Sequence, residues 1–483
     1  MRQGTREPCA CRVGGAIFVM MAFACCAAAT ATEPPTREEA RAALRKAVGF
    51  LRQKVSVQGG YVWLYSADLA KREGEGKVGA TTVWVQPPGT PAVGEALVEA
   101  YELAGEPCCL DAARESAMVL LRGQLQSGGW DASIELDPNA RRRYAYRVDG
   151  APPAKARNNT SLDDDKTQSA LRFLVRCDKA AGFAGKPIHE AALFALDSLL
   201  KAQFPNGGWP HVYSGPAAAG KYPPRPAGYR QDGQYTRVKA YWEFCTLNDN
   251  LVADVVKTLL CAWRTYGDER ARQSALKAGG FLILAQMPDP QPAWAQQYDF
   301  DMCPAWARKF EPPAITGGES QQAMTTLLDL YELTGDRKYL SPVPKALAYF
   351  RASLLPDGRL ARFYELRTNK PLYFTLDYQI TYSDANTPTH YAFKVGSRLD
   401  RIEARYKALA DRPWRPPATR AARPSRPSPA AIRRIIDAMD DRGAWVEDGR
   451  LRYWGKDDPT TQVIDPKTFI AYIRTLAAYV SQQ

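Results

Sequence analysis

"LLRGQLQSGGW" at 120–130 and "LLKAQFPNGGW" at 199–209 nearly repeat each other, 79 residues apart. Each runs as an apolar helix, passes a glutamine and stops on Gly-Gly-Trp. Glycine permits the positive φ that ends a helix, and the tryptophan covers the turn. The same plan returns in "QGGYVWLYS" after "LRKAVGFLRQKV", in "FLILAQMPDPQPAWAQQYD" (281–299) and in "AYFRASLLPDGRLARFYEL" (348–366). Gln124, Gln203 and Gln286 hold one equivalent position, 79 and 83 residues apart. A unit of this length without strand-like alternation predicts paired helices.

Each unit also has a first helix: "AVGEALVEAYELAG", "DDDKTQSALRFLVRC", "NDNLVADVVKTLLCAW" and "GGESQQAMTTLLDLYELTGD". In the third, Leu251, Val252, Val255, Val256, Leu259, Leu260 and Trp263 form a helical apolar stripe. Five or six such hairpins closing on themselves make an all-α fold, an α/α toroid. Every first helix then begins at the end where every second helix finishes. The acidic helix starts and the Gly-Gly-Trp loops are therefore expected at one shared mouth. A long loop at 215–240 follows the second Gly-Gly-Trp, and long loops at a mouth are often functional.

The chain of 483 residues carries 64 basic and 52 acidic residues, a formal charge of +12 that favours an anionic partner. Residues 1–31 read as a secretory signal: Arg2, Arg6 and Arg12, then the short apolar run "GGAIFVMMAFACCAAA", then "ATA" as a small-residue cleavage site. The expected location is secreted or periplasmic; a retained membrane anchor is the alternative. Residues 32–410 read as the toroid, 411–429 as a Pro/Arg-rich linker or wrapping loop, and 430–483 as C-terminal helices that close the ring. Six cysteines remain in the mature chain, without the short paired spacing of a zinc site. Only three histidines are present, which excludes a His-rich metal centre.

Four clusters fall at the expected mouth: Asp163, Asp164 and Asp165 in "LDDD"; Asn248, Asp249 and Asn250 in "TLNDN"; Tyr298, Asp299, Asp301, Arg308 and Glu311 in "YDFDMCPAWARKFEPP"; and Arg362, Tyr364, Arg367, Asn369 and Lys370 in "ARFYELRTNKPLYF". Asp or Asn at a helix start serves first as a cap. Three consecutive aspartates exceed what a cap requires, since like charges raise one another's pKa unless a cation sits among them. Hard oxygen donors suit Ca²⁺.

The blocks "LDDDKTQSALRFL", "NGGWPHVYS", "TLNDN", "WAQQYDFDMCPAWARKFEPPAITGGES" and "ARFYELRTNKPLYF", in this order over roughly 160–375, resemble those of the family 10 pectate lyases. The resemblance implies an α/α toroid that cleaves polygalacturonate by Ca²⁺-dependent β-elimination. It places calcium ligands on Asp163, Asp164 and Asp249 and a proton-abstracting arginine on Arg308. Asp299 matches an acidic position beside the site. Trp209, Phe244, Tyr298, Arg362, Tyr364 and Lys370 are the expected substrate contacts. Two places depart from the family: Asp164 stands where asparagine is usual, and Phe244 and Leu247 replace a histidine and an aromatic residue.

The chemistry is consistent with the residues. Elimination removes the proton on C5 of a uronate, beside its carboxylate, and charge withdrawal by Ca²⁺ stabilises the enolate-like intermediate. Arginine is an unusual base, its pKa lying above ~12, and a carboxylate-binding fork is its other role. Three further readings stay open. Gln-x-x-x-Gly-x-Trp also occurs in the α/α barrels of triterpene cyclases. A toroid glycoside hydrolase would use two carboxylates, such as Asp249 and Asp299. A non-catalytic homologue would bind the acidic polymer and leave it intact. The lyase reading implies a monomer acting on an acidic polysaccharide, with no nucleic-acid partner and no stable membrane insertion.

Overall fold

The computed structural model describes residues 33–416 and 426–482. The signal expected at 1–31 and the middle of the 411–429 linker lie outside the described residues. Twelve α-helices are described: α1 (Arg37–Phe50), α2 (Thr90–Ala104), α3 (Pro107–Gly123), α4 (Lys166–Ala180), α5 (Lys186–Lys201), α6 (Leu251–Tyr266), α7 (Glu269–Ala285), α8 (Gly317–Thr334), α9 (Val343–Ala352), α10 (Leu399–Ala410), α11 (Pro429–Asp437) and α12 (Pro466–Val480).

The unit Pro35–Gln483 is an α/α toroid. In its inner layer α2 packs on α4, α4 on α6, α6 on α8 and α8 on α10, while α12 packs on α2. In its outer layer α1 lies against α3, α3 against α5 and α5 against α7. The two layers differ in burial as their positions require. Helix α4 is buried nearly all round, including Lys166, Gln168, Arg172 and Asp178. The outer α5 buries only the stripe Ile188, Ala191, Ala192, Ala195, Leu196 and Leu199.

The ends of the outer helices share one device. The indole N–H of Trp130 donates to the carbonyl of Leu120, that of Trp209 to Leu199, that of Trp294 to Leu282 and that of Trp445 to Ile435, at 2.7–2.9 Å. Each tryptophan thus satisfies a carbonyl in the last turns of the helix before it. The glutamines read from the sequence clamp the same turns. Gln124 donates to Gly128 and to Ala191 on α5, Gln203 to Gly207 and to Ser274 on α7, and Gln286 to Pro292 and to Pro342, just before α9.

After the tryptophan, each loop pairs with the segment entering the next inner helix. Ser161 N–H donates to Trp130 O, Leu162 N–H to His211 O, Thr246 N–H to Trp209 O and Thr316 N–H to Trp294 O. The loops and the inner-helix starts therefore share one mouth. They also carry strands that the sequence reading did not contain. Short antiparallel segments form there, including a four-stranded sheet through 314–316, 363–365, 371–374 and 380–381 and a five-stranded one joining 64–66 to 447–448 and 462–464. These strands are two to four residues long, too short to show alternation. The six cysteines among the described residues carry free thiols. Among the described residues, no helix is long and apolar enough to cross a membrane.

Candidate active site

Two inner helices, α4 and α6, begin with the same irregular turn. Asp164 and Asp165 before α4 have φ of 47° and 59°, and Asp249 and Asn250 before α6 have 48° and 62°. Asp and Asn are the side-chain-bearing residues that tolerate this left-handed region. That explains "DDD" and "NDN" at the backbone level. The two turns touch, and they bring carboxylate oxygens of Asp163, Asp164 and Asp249 within 4.8 Å of one another.

The three carboxylates have different partners. Asp163 accepts from His211 Nε2 and from Lys166 Nζ, both at 2.7 Å. Burial pulls its pKa up, but these two partners hold it well below the carboxylate range. Asp164 accepts from the Gln86 side-chain amide at 2.9 Å; burial and the Asp163 charge push it up. Asp249 accepts from the Asn248 amide, and burial with the charges of Asp164, Asp163 and Glu319 pushes it up to about 7. Three acids so placed repel one another, and a hard divalent cation would relieve that repulsion. Two buried amide oxygens close by, Gln86 Oε1 and Asn248 Oδ1, have no hydrogen-bond partner. The donor set is all oxygen and fits Ca²⁺.

A cationic side faces the acids. Arg308 donates to both oxygens of Glu311, Nε at 2.8 Å and Nη2 at 2.5 Å, and its backbone N–H adds a third bond. Tyr391 donates to Glu311 Oε1 at 3.0 Å, and the Arg308 guanidinium lies over the rings of Phe310 and Tyr391. Burial disfavours the charged guanidinium, but Glu311 more than offsets it, so Arg308 holds its proton more tightly than a free arginine. Arg362 stacks on the other contact of this wall, 4.6 Å from the Tyr391 ring centroid, with Glu319 at 3.9 Å. Beside the site, Phe204, Val212, Lys221, Trp242 and Glu243 line an open cavity of about 350 Å³.

The other expected contacts sit elsewhere. Trp209 is fully buried under α5, where its indole is committed to Leu199. Tyr298 and Tyr364 are buried too. Each hydroxyl accepts the N–H three residues upstream, Ala295 or Ala361, and donates to Ala285 O or Ser353 O. These three are scaffold, and their burial removes them from any substrate surface. Asp299 is buried and tied to Arg230 and to the N–H groups of Asp301 and Cys303. Phe244 is 8% exposed and packs edge-on against Phe300. Lys370 is exposed, with its ammonium over Tyr382. Sequence reasoning did not single out Gln86, Lys166, His211, Glu319 or Tyr391 as site residues. His211 alone left a signal, two residues beyond a Gly-Gly-Trp in a loop already assigned to the mouth.

Fold and mouth together are those of an α/α toroid with an acidic cluster and a facing cationic wall at one end. Residues 124–331 match the family model described as pectic acid lyase. The match takes in the "LDDD", "TLND" and "AWARKFEPP" blocks and confirms the resemblance read from them. Among solved structures, the chain is similar to a family 10 polysaccharide lyase from Cellvibrio cellulosa, with 20% identity and TM-score 0.45 over 61% of this chain and 91% of that one. A mutant of such a lyase from the same organism, in complex with trigalacturonic acid, gives 19% and 0.46 over 66% and 98%. A family 76 α-mannanase from Bacteroides thetaiotaomicron gives 10% and 0.41 over 91% and 95%. No curated protein sequence matches.

Proposed function

We propose that the protein is a secreted pectate lyase that cleaves polygalacturonate by calcium-assisted β-elimination. The observation that carries this reading is the juxtaposition of three carboxylates within 4.8 Å with a fixed arginine close enough to lower the pKa of Asp249. Asp163, Asp164 and Asp249 would hold the cation. When bound, it would neutralise a uronate carboxylate and so make the neighbouring C5–H more acidic.

The chain's own groups then have defined tasks. Lys166 and His211 orient Asp163 through its two oxygens. Arg308, Arg362 and Lys221 offer positive charge to successive uronates. Tyr391 and Glu311 fix the plane of the Arg308 guanidinium. Arg308 in its neutral form accepts the C5 proton, the bond from C4 to the glycosidic oxygen breaks with its electron pair leaving on that oxygen, water supplies the oxygen with a proton, and the new chain end is a 4,5-unsaturated uronate. The grip of Glu311 makes that acceptance easiest at high pH.

The deciding experiment is an ultraviolet absorbance assay on polygalacturonate at alkaline pH, with Ca²⁺ and with chelator. A rise that chelator abolishes is expected. Reducing ends without absorbance would replace the lyase with a hydrolase, and polymer binding without turnover would leave a binding protein. Activity that survives chelation would overturn the calcium assignment.

A further inference from the structure

We propose that Gln86 is a positioning residue of the cation site, fixing Asp164 through its amide nitrogen and offering its amide oxygen as a further donor. The inference rests on the reading of Asp163, Asp164 and Asp249 as cation ligands, and it extends the site to a segment outside the 124–331 match. Asp163 has two partners, the His211 ring and the Lys166 ammonium. For Asp164, the Gln86 amide is the one hydrogen-bond partner among the described residues. A neutral amide orients a carboxylate without cancelling its charge, which a lysine there would do. The charge is thereby kept for a cation.

Gln86 itself is immobile for reasons visible in its surroundings. It is 8% exposed. Its backbone carbonyl accepts from the Trp63 indole at 2.8 Å and from Gly89 N–H at 2.9 Å, at the entry to α2. The side-chain oxygen, buried beside the acid cluster, accepts nothing. An orphaned buried acceptor is costly, and a cation at the cluster would satisfy it. Its position is equivalent to the turns before α4 and α6, since Gln86 leads into inner helix α2 as Asp163 leads into α4. Three successive inner-helix entries would thus supply the site.

The test is calcium binding by calorimetry on the full chain without substrate, comparing wild type with Gln86→Met and Gln86→Asn, together with melting in chelator. Loss of an outer-shell partner typically weakens metal binding by about 10–100-fold. Gln86→Met is expected to weaken calcium binding by at least about tenfold while melting normally in chelator. Gln86→Asn keeps the amide but falls short of Asp164 and gives the second measurement if the methionine variant does not fold. In an Asp164→Ala background the Gln86 substitution should weaken affinity by less than it does in wild type, because only the amide-oxygen donor is then left to lose. Wild-type affinity in both Gln86 variants, with calcium still bound, would overturn this inference and leave the lyase reading intact. A full additional loss in the Asp164→Ala background would overturn it too, because Gln86 would then act elsewhere. Wild type that binds no calcium would overturn both this inference and the cation-assisted mechanism.

Discussion

At the residue scale, Arg308 is the position where charge and role pull against each other. Its guanidinium is held by a bidentate pair with buried Glu311 and by two aromatic faces, all of which favour the protonated form. A base whose pKa lies far above the working pH is present in its active form in a fraction that grows tenfold per pH unit. The lyase rate is therefore expected to climb nearly tenfold per unit between about pH 7 and 10. Arg308→Ala should lower kcat by about 10²–10⁴-fold, the usual contribution of an acid–base group. Steady-state kinetics across that range checks both. A flat profile would reassign Arg308 as a fixed cation that binds the uronate carboxylate.

A second residue carries a sign that follows from burial alone. Asp254 on α6 is pushed up to about 7 by burial and by Asp165, with Arg172 and Lys257 opposing. A carboxyl raised in the fold favours the protonated native state. Its contribution is complete below about pH 4, the unfolded value, and is lost as pH rises through about 7. Asp254→Asn should thus leave melting at pH 4 nearly unchanged and raise stability at pH 8 by on the order of 2 kcal/mol. Equal shifts at both pH values would show that the charge is not the cause.

At the scale of elements, the Gly-Gly-Trp turn decides what the sequence can reveal. Gly59, Gly128, Gly207 and Gly443 all have φ between 93° and 106°. A Cβ at each would collide with the following outer helix: with Glu115 on α3, Ser198 on α5, Lys277 on α7 or Lys46 on α1. Gly207→Ala therefore meets both a left-handed backbone and the Lys277 carbonyl. It should cost about 2–4 kcal/mol, read as a lowered denaturant midpoint. Gly358 has φ of 76° and open space around it, so Gly358→Ala should cost only the backbone term of about 1 kcal/mol.

This geometry explains why the repeat was legible, since at these four turns a positive φ and the close following helix select glycine, and an aromatic residue stands two positions later. The copy at Gly443-Ala444-Trp445 escaped because alanine replaces the second glycine. The acidic triad was legible for a similar reason, as its backbone demands Asp or Asn. Its partners were not. Gln86 and His211 reach Asp164 and Asp163 across 78 and 48 residues of sequence; nothing local in "WVQPPG" marks Gln86, and His211 is marked only by its place after a Gly-Gly-Trp. Trp209, Tyr298 and Tyr364 misled because aromatic residues flank the mouth in sequence while their rings turn inward to the helix ends.

At the scale of the whole molecule, the ring depends on an element from the far end of the chain. Helix α12 packs on both α1 and α2, so it forms with α1 the helix pair that precedes the first Gly-Gly turn. Polar contacts reinforce that seam. Arg474 pairs with Glu99 at 2.8 Å, the Tyr479 hydroxyl donates to Pro35 O at 2.7 Å, and Lys46 Nζ donates to Asp440 O at 3.1 Å. The apolar face of α12 buries Phe469, Ile473, Leu476, Ala477 and Val480. Each large apolar side chain buried is worth about 1.5–3 kcal/mol, so those of α12 together rival the roughly 5–15 kcal/mol net stability of a domain. Removing 466–483 would also uncover the apolar sides of α1 and α2, next to the Gln86 entry to the site. A chain ending at 465 is expected to lose cooperative unfolding and calcium binding together, and a synthetic α12 peptide added in excess should restore part of both. Calorimetric melting of the truncated chain with and without the peptide measures this. A cooperative transition at the full-length temperature would show that the ring stands without its closing helix.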